Sequence, residues 1–277
     1  MKKTIWGNTV VKNEGRYIWF ALNSIINFLD KILIYDTGSS DDTVAIIELL
    51  RKKFPQKILF NEVGEVDSFG LTSLRQKMLE ETKSDWLLIV DGDEVWWRNS
   101  IKKVIQVINS SQGDRLYALV TPVINLVGDI YHYQNEQSGE YELLGKKGHF
   151  NIRAINRKIP GLYIKNEYPL EGFYDKSNQL IQQAENKLKF VDAPLLHFSH
   201  LKRSSYATGD QKAVKRGSKL KYEMGVRFLP TFQYPEVFYN QRPDIVQSPW
   251  QRMSTTFRIR ALIETPLKKI KRSLFII

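Results

Sequence analysis

The stretch Trp86-Leu87-Leu88-Ile89-Val90-Asp91-Gly92-Asp93-Glu94 decides the fold that we predict for this chain. Its first five residues are apolar, and three carboxylates follow within the next four positions. An unbroken apolar run of this length is typical of a strand that is buried on both faces of a parallel sheet. Open α/β sheets bind their ligands at the C-terminal ends of such strands. The carboxylates therefore fall where a ligand site is expected.

The three carboxylates, Asp91, Asp93 and Glu94, would repel one another at such a strand end unless a cation shared the site. A cluster of oxygen ligands suits a hard divalent ion such as Mg²⁺ or Mn²⁺, which commonly accompanies phosphates. The alternative is a solvated acidic turn after a strand. The segments on either side of the stretch favour the ligand site.

Strands and helices are predicted to alternate through the first 123 residues. This order predicts an α/β fold with a doubly wound, mostly parallel sheet and right-handed crossovers. Apolar runs predict strands over 5–11, 31–35, 58–60, 86–90 and 116–123, and helical spacing of apolar residues predicts helices over 18–28, 44–50, 71–78 and 101–108.

The predicted alternation of strands and helices ends after residue 127. Residues 128–148 are polar and rich in Tyr and Gly, and are expected to form a loop or an excursion over the site, with short strands over 149–155 and 162–164. Residues 176–189 are predicted to be helical. The Pro- and aromatic-rich residues 225–250 are predicted to be an extended segment that wraps on the domain.

Composition restricts the class of protein further. Cysteine is absent from the 277 residues, which excludes disulfides, thiolate metal sites and cysteine nucleophiles. No apolar run approaches the ~18–20 residues that span a bilayer, and the N-terminus lacks an apolar signal-peptide region. These features predict a cytoplasmic protein. The net charge of +11 is concentrated in residues 201–221 and 251–277, each with seven Lys/Arg against one carboxylate.

Three motifs occur in order within the first 100 residues. Together they resemble the family 2 glycosyltransferases of the GT-A fold, which implies an inverting transfer of a sugar from a nucleotide donor, expected to be UDP, in cell-surface glycan synthesis. The motifs are Val10-Val11-Lys12-Asn13-Glu14, Ile34-Tyr35-Asp36-Thr37-Gly38-Ser39-Ser40-Asp41-Asp42-Thr43 and Asp85-Trp86-Leu87-Leu88-Ile89-Val90-Asp91-Gly92-Asp93-Glu94.

The resemblance implies a nucleobase pocket at the first two motifs. Asp36 would contact the base, and Val10, Val11 and Glu14 would line the pocket. Arg75 matches an arginine that relatives often have near the donor, although a surface arginine paired with an acidic neighbour is an equal alternative.

In the third motif the resemblance assigns Asp91, with Gly92, to the donor ribose and Asp93 to a bound Mn²⁺ or Mg²⁺. His197 stands where the family places a histidine near the metal or diphosphate, and His200 is the other candidate. A core histidine satisfied by the backbone is as good an interpretation of either. Lys202 and Arg203 could neutralise the diphosphate.

The catalytic base of an inverting transfer is expected beyond the third motif. Glu167 and Glu171 are the candidates, with Glu167 preferred, and an exposed acidic loop is the alternative for both. Relatives commonly carry His-Glu here, whereas this chain has Asn166-Glu167, so the match is partial. The resemblance divides the chain into a nucleotide-sugar-binding half (1–125), an acceptor and catalytic half (126–221) and a C-terminal extension (222–277).

The basic tail has its own pattern. Leu267, Ile270, Leu274 and Ile277 fall on one helical face, and Lys/Arg residues fill the other. This pattern predicts an interfacial helix at the inner face of the plasma membrane, suited to a lipid-linked or glycan acceptor, although docking on the domain or on a partner subunit is equally open. A nucleotidyltransferase and a nucleic-acid-binding protein are the alternative functions. No nucleic acid is expected as a partner, because no recognised nucleic-acid module is visible.

Overall fold

The predicted alternation of strands and helices is confirmed in the first half of the chain. The structure, a computed structural model, describes residues 2–139, 141–201 and 221–274. The first half contains β1 (Ile5–Val11), α1 (Ile18–Ile25), β2 (Lys31–Asp36), α2 (Thr43–Lys53), β3 (Ile58–Glu62), α3 (Ser68–Glu81), β4 (Trp86–Ile89), β5 (Glu94–Trp96), α4 (Arg98–Asn109) and β6 (Ala118–Val127).

The second half consists mainly of short strands. They are β7 (Asp129–Tyr133), β8 (Tyr141–Leu143), β9 (Lys146–Gly148), β10 (Phe150–Asn156), β11 (Tyr163–Lys165), β12 (Gly172–Tyr174), β13 (Leu188–Phe190), β14 (Leu195–His200) and β15 (Val226–Arg227). The long helix α5 (Thr255–Leu274) follows. None of the helices in the described ranges is long and apolar enough to cross a bilayer.

The central sheet is mostly parallel, and its main path runs β15-β7-β6-β10-β4-β1-β2-β3. The strands β1 to β4 are parallel to one another. β10 lies antiparallel between β4 and β6, and β13 and β14 pair with β6 in parallel. The expected α/β class, with a mostly parallel sheet, a C-terminal extension and a tail helix, is confirmed.

The apolar run of the third motif forms β4, which is buried by helices on both faces of the sheet as predicted. Trp86, Leu87 and Leu88 are buried, and α1 is buried along almost its entire length. The extended segment 225–250 closes the core over α1, where Phe238 contacts Phe20 with ring centroids 5.2 Å apart. The predicted wrapping of this segment on the domain is therefore observed.

Two local expectations were wrong. Residues 176–189 contain short 3₁₀ turns at Ile181–Gln183 and Glu185–Lys187 before β13, and no α-helix. Their buried apolar residues, Ile181 and Leu188, are seven positions apart and reach the same small core cluster, Ile181 from a 3₁₀ turn and Leu188 from the start of β13. Of the two alternatives for residues 128–148, the loop is wrong, because they form an excursion that contains β7 and the hairpin β8-β9.

Candidate active site

A cavity of about 780 Å³ opens at the C-terminal ends of β1 and β4. It lies where parallel sheets of this kind bind ligands. Nine of the residues predicted for the site line it, whereas Asp36 and Glu167 do not. The nine are Val10, Val11, Glu14, Arg75, Asp91, Gly92, Asp93, Glu171 and His197.

The turn after β4 brings its carboxylates close to the end of β1. A Cβ atom added at Gly92 would lie 3.0 Å from Glu14 Cγ and 3.2 Å from Val11 Cγ1. The turn can approach β1 this closely because position 92 has no side chain. Gly92 therefore brings the two aspartates against the wall formed by β1.

His197 meets Asp93 because β14 pairs with β5. The backbone N–H of Phe198 donates to the Asp93 carbonyl at 2.9 Å, and His197 lies opposite Glu94 in the strand register. His197 Nε2 is 3.4 Å from Asp93 Oδ2, and Nδ1 is 3.1 Å from Asn125 Oδ1. The side chain therefore faces Asp93 with one ring nitrogen and β6 with the other.

Arg153 completes the cluster, and sequence reasoning missed it. It lies on β10, which pairs directly with β4. Its Nη2 is 3.3 Å from Asp91 Oδ2 and also donates to Glu94 Oε1. The Arg153 side chain is 8% exposed and that of Glu94 is 0% exposed, so the guanidinium is a buried counter-ion for two of the three carboxylates. A charged residue between the apolar residues Ile152 and Ala154 of β10 was the available signal.

The charges within the cluster change its protonation. Burial raises the pKa of Glu94 to about 7, although Arg153 opposes the shift. Burial also disfavours ionised Asp91, but Arg153 and Arg75 outweigh it and hold the pKa of that carboxyl below its usual value. Burial disfavours the charged His197, yet Asp93 and Glu94 together raise the pKa of the imidazole.

The two candidate bases lie in different surroundings. Glu171 lines the cavity, and its Oε1 is 3.7 Å from Arg75 Nε. Its buried Oε2 accepts no hydrogen bond from the described residues. Glu167 is exposed, lies outside the cavity lining and accepts a hydrogen bond from the Ser68 hydroxyl. The structure brings Glu171, and not the preferred Glu167, to the site.

Asp36 is buried beneath the cavity and is held by its own turn. Its carboxylate accepts hydrogen bonds from the Gly38 and Ser39 amides at 3.0 and 2.8 Å, and from the Ser39 hydroxyl. The neighbouring Thr37 lines the cavity instead. His200 is buried and is not part of the lining, whereas Lys202 and Arg203 lie outside the described residues. The nucleobase role of Asp36 stays a prediction.

Comparison with known proteins decides the family. Residues 9–165, which are more than half of the chain, match the sequence model of the family described as Glycosyl transferase family 2. The chain belongs to this family. The match begins within β1 and runs to the end of β11, before Glu167 and Glu171, so it includes the carboxylate cluster and excludes both candidate bases.

The individual relatives have low sequence identity to this chain, and most of them are longer than it. The SPbeta prophage-derived glycosyltransferase SunS of Bacillus subtilis is 26% identical over 185 residues, covering 65% of this chain and 42% of the relative. An uncharacterized glycosyltransferase of Rickettsia bellii is 32% identical over 120 residues, covering 43% and 37%. This family 2 chain therefore spans less than half the length of either relative. Among solved structures, S. aureus TarS 1-349 in complex with UDP gives a TM-score of 0.47 at 16% identity, covering 70% of this chain and 60% of that one.

The donor groups in the cavity of this family 2 chain fit a divalent ion that a ligand helps to coordinate. The described residues contain no group of three or more acidic or histidine side chains arranged to hold a metal alone. Asp93 and His197 form an adjacent carboxylate–imidazole pair facing the cavity. Mg²⁺ sites typically use one or two protein carboxylates and complete their coordination with substrate phosphates and water. Imidazole is an acceptable additional ligand for Mn²⁺, so the pair fits either ion.

Proposed function

We propose that the chain transfers a sugar from a nucleotide donor, with UDP as the expected nucleotide, to a glycan or lipid-linked acceptor by an inverting displacement. The observation that carries the proposal is that Asp91, Asp93 and His197 share one cavity with Glu171. The family membership supports sugar transfer over the alternatives of nucleotidyl transfer and nucleic-acid binding.

On the donor side, Val10, Val11 and Glu14 form the wall for the nucleobase, and Asp91 binds the ribose. Asp93 and His197 hold Mn²⁺ or Mg²⁺. The bound ion supplies stabilisation of the negative charge on the diphosphate leaving group. The arginine contacts of Asp91 support its role, because they keep the carboxylate ionised and able to accept hydrogen bonds from ribose hydroxyls.

On the acceptor side, we propose Glu171 as the base that takes the proton from the acceptor hydroxyl. A base must come within about 2.6–3.2 Å of that proton's oxygen in a bound complex, and a residue outside the cavity cannot do so without a rearrangement. Arg75 lies beside Glu171, with Nε 3.7 Å from Oε1, and can hold the carboxylate in place towards the cavity. Glu167 lacks both features.

We propose that the enzyme is located at the inner face of the plasma membrane and that its acceptor is used in cell-surface glycan synthesis. The proposal is supported by the concentration of positive charge in residues 201–221 and 251–277. Without these two blocks, the rest of the chain has a net charge of −1. Anionic lipid headgroups attract basic segments of this kind.

The donor proposal is tested by thermal-shift measurements with a panel of nucleotides and nucleotide sugars, with and without Mn²⁺. A ligand that binds only the folded state raises the melting temperature, so UDP or a UDP-sugar with Mn²⁺ should give the largest rise. Asp93→Asn should abolish the Mn²⁺-dependent part of the shift, whereas Asp42→Asn, at an exposed position, should leave it unchanged. A full Mn²⁺-dependent shift in Asp93→Asn would remove Asp93 from the metal site.

Glu167 and Glu171 provide a matched pair for the base. Glu171→Gln should lower the transfer rate at least about 100-fold, within the range that general bases contribute, and should leave the donor thermal shift intact. Glu167→Gln should change the rate less than about threefold, because surface changes away from the site have small effects. The reverse order of the two variants would restore Glu167 as the base.

A further inference from the structure

Helix α5 docks on the domain through its polar side. Thr265 Oγ1 accepts a hydrogen bond from the Met224 amide at 2.8 Å, and Lys268 Nζ donates to the Tyr222 carbonyl at 2.8 Å. Arg272 makes two hydrogen bonds to Glu223, at 2.6 and 2.9 Å.

Two further contacts lie on the same side of the helix. The Arg260 guanidinium lies 3.8 Å from the centre of the Tyr222 ring, and Ala261 is completely buried. Together these contacts fix which side of α5 faces the domain.

The opposite side of α5 is a row of exposed apolar residues, which we call the outer row: Ile259, Leu262, Ile263 and Leu267. Their spacing of three and four positions places them on one helical face. Each is between 56% and 64% exposed. Pro266, which is also exposed, lies on this face between Leu262 and Ile270.

Phe257, whose ring centroid is 5.0 Å from that of Tyr222, and Ala261 also face the domain near the start of α5. Beyond them, this arrangement is the reverse of an ordinary surface helix, which turns its apolar stripe towards the core and its polar face towards water. Single exposed apolar residues are normal, but a contiguous apolar row bordered by charge marks a surface that binds something. The inward hydrogen bonds prevent α5 from rolling its outer row onto the domain. The occupant of the outer row must therefore come from outside the described part of the chain.

Charge decides which occupant fits. Residues 251–277 carry seven Lys/Arg and a single carboxylate, Glu264, which is already paired with Arg260 at 2.6 Å and Lys268 at 2.8 Å. Arg258 is exposed beside Ile259 at the start of the outer row. A second copy of α5 laid against the first would bring two strongly positive helices together. An anionic bilayer instead supplies both the apolar depth and the opposite charge.

We propose that α5 binds an anionic lipid bilayer, with its outer row inserted at the headgroup boundary and its polar side still attached to residues 222–224. This proposal identifies the surface through which the enzyme contacts the membrane. Its biological purpose rests on the membrane location proposed above. The binding itself requires neither donor nor acceptor.

The test is co-sedimentation of the full chain with vesicles of phosphatidylcholine alone and of an equal mixture of phosphatidylcholine and phosphatidylglycerol. The chain should bind the mixed vesicles at least about tenfold more strongly, because lipid charge contributes to the attraction. The double variant Ile263→Ser/Leu267→Ser should bind the mixed vesicles at least about tenfold more weakly, since it loses two apolar side chains from the inserted face.

Leu229→Ser is the matched control, because Leu229 is 74% exposed and lies outside α5. It should change binding less than about twofold, and all variants should keep the parent melting temperature because the altered side chains are exposed. Absence of vesicle binding by the parent chain, or equal binding by the parent and the double variant, would overturn the proposal.

Sedimentation equilibrium tests the alternative that a second copy of the chain, and not a bilayer, covers the outer row. Self-association that the double variant abolishes, without vesicle binding, would assign the outer row to a dimer interface and overturn the lipid proposal. Vesicle binding that follows the outer row in a chain showing no nucleotide-dependent thermal shift would support this surface while contradicting the proposed transferase function.

Discussion

Arg153 provides the most demanding prediction about the carboxylate cluster. Replacing it by methionine keeps a long apolar side chain on β10 but removes the cation that contacts Asp91 and Glu94. The change leaves Glu94, which is fully buried, without its counter-ion. Arg153→Met should therefore destabilise the fold as well as change the site.

The burial of the pair sets the size of the effect. Removing one partner of a buried ion pair typically costs about 3–5 kcal/mol, because the other charge remains out of water. Asp91 keeps a third of its side chain exposed, so water compensates for part of its loss, and Glu94 dominates the cost. In the parent protein at pH 8, above the pKa of about 7 of Glu94, the carboxylate is mostly ionised, so Arg153→Met must either bury an unpaired charge or protonate Glu94 against the solution pH. We expect the free energy of unfolding to fall by about 3–5 kcal/mol at this pH.

Urea denaturation of Arg153→Met, Glu94→Gln and the double variant measures the pair directly. The double variant removes both charges, and replacing a buried pair by neutral groups of similar size is often nearly neutral. It should therefore recover at least about 2 kcal/mol relative to the sum of the two single losses. Buffers should contain EDTA so that adventitious metal does not replace the missing cation.

Arg157→Met is the matched control. Arg157 follows the same strand, and its guanidinium donates to the Ser84 carbonyl at 2.8 Å without touching the cluster. Its loss should cost about 1 kcal/mol, the usual contribution of one such hydrogen bond. An Arg153→Met loss no larger than that of the control, or strictly additive losses in the Arg153/Glu94 cycle, would refute the role of Arg153 as the buried counter-ion.

Two other predictions concern the C-terminal extension. Burial disfavours ionised Glu223, but the neighbouring Arg272 outweighs burial and holds the pKa of Glu223 below its ordinary value of 4.5. The Glu223–Arg272 contact therefore stabilises the fold above about pH 4.5, and this stabilisation is lost as the pH falls through the folded-state pKa. The protection factors of α5 amides, which correct for the intrinsic pH dependence of hydrogen exchange, should fall on acidification, and Glu223→Gln should remove that acid dependence. An unchanged fall of the protection factors in Glu223→Gln would contradict the prediction. Gly128→Ala should lower the free energy of unfolding by more than about 1–2 kcal/mol, because the backbone φ is +76° and the new Cβ would lie 2.8 Å from Phe257 Cε1. Gly145→Ala, with φ +67° and open space around it, is the control for backbone strain alone, and equal losses in urea denaturation would show that the Phe257 contact is unimportant.

Local patterns predicted the parallel half of the fold because each of its elements has a strong period of its own. β1 begins and ends at the predicted residues, and β4 begins at Trp86 as predicted. The second half was harder, because strands of three residues such as β8 and β12 are too short to show an alternation. Residues 176–189 looked helical from their polar composition alone, which carries no information about period.

The residues of the site also divide into those that local patterns predict and those that they do not. Motif residues that leave parallel strands at one edge, such as Val11 and Asp91, were predictable because the fold class determines where strand ends lie. Arg153 was not, because β10 inserts antiparallel between β4 and β6, and no local pattern specifies that long-range pairing. The choice between Glu167 and Glu171 depended in turn on how a loop folds. Glu171 was brought to Arg75 by tertiary structure that spacing does not encode.

The crowding of acid after β4 first suggested a cation, and the geometry indicates how that requirement is divided. Arg153 serves Asp91 and Glu94 as a fixed cation of the protein itself. Asp93 lies beside His197, with Oδ2 3.4 Å from Nε2, and an imidazole can be either a proton carrier or a metal ligand. The divalent ion that we propose would be held by Asp93 and His197, next to two carboxylates that already contact Arg153. Such a site should bind the ion weakly until a diphosphate adds its own oxygens, so metal and nucleotide should bind cooperatively.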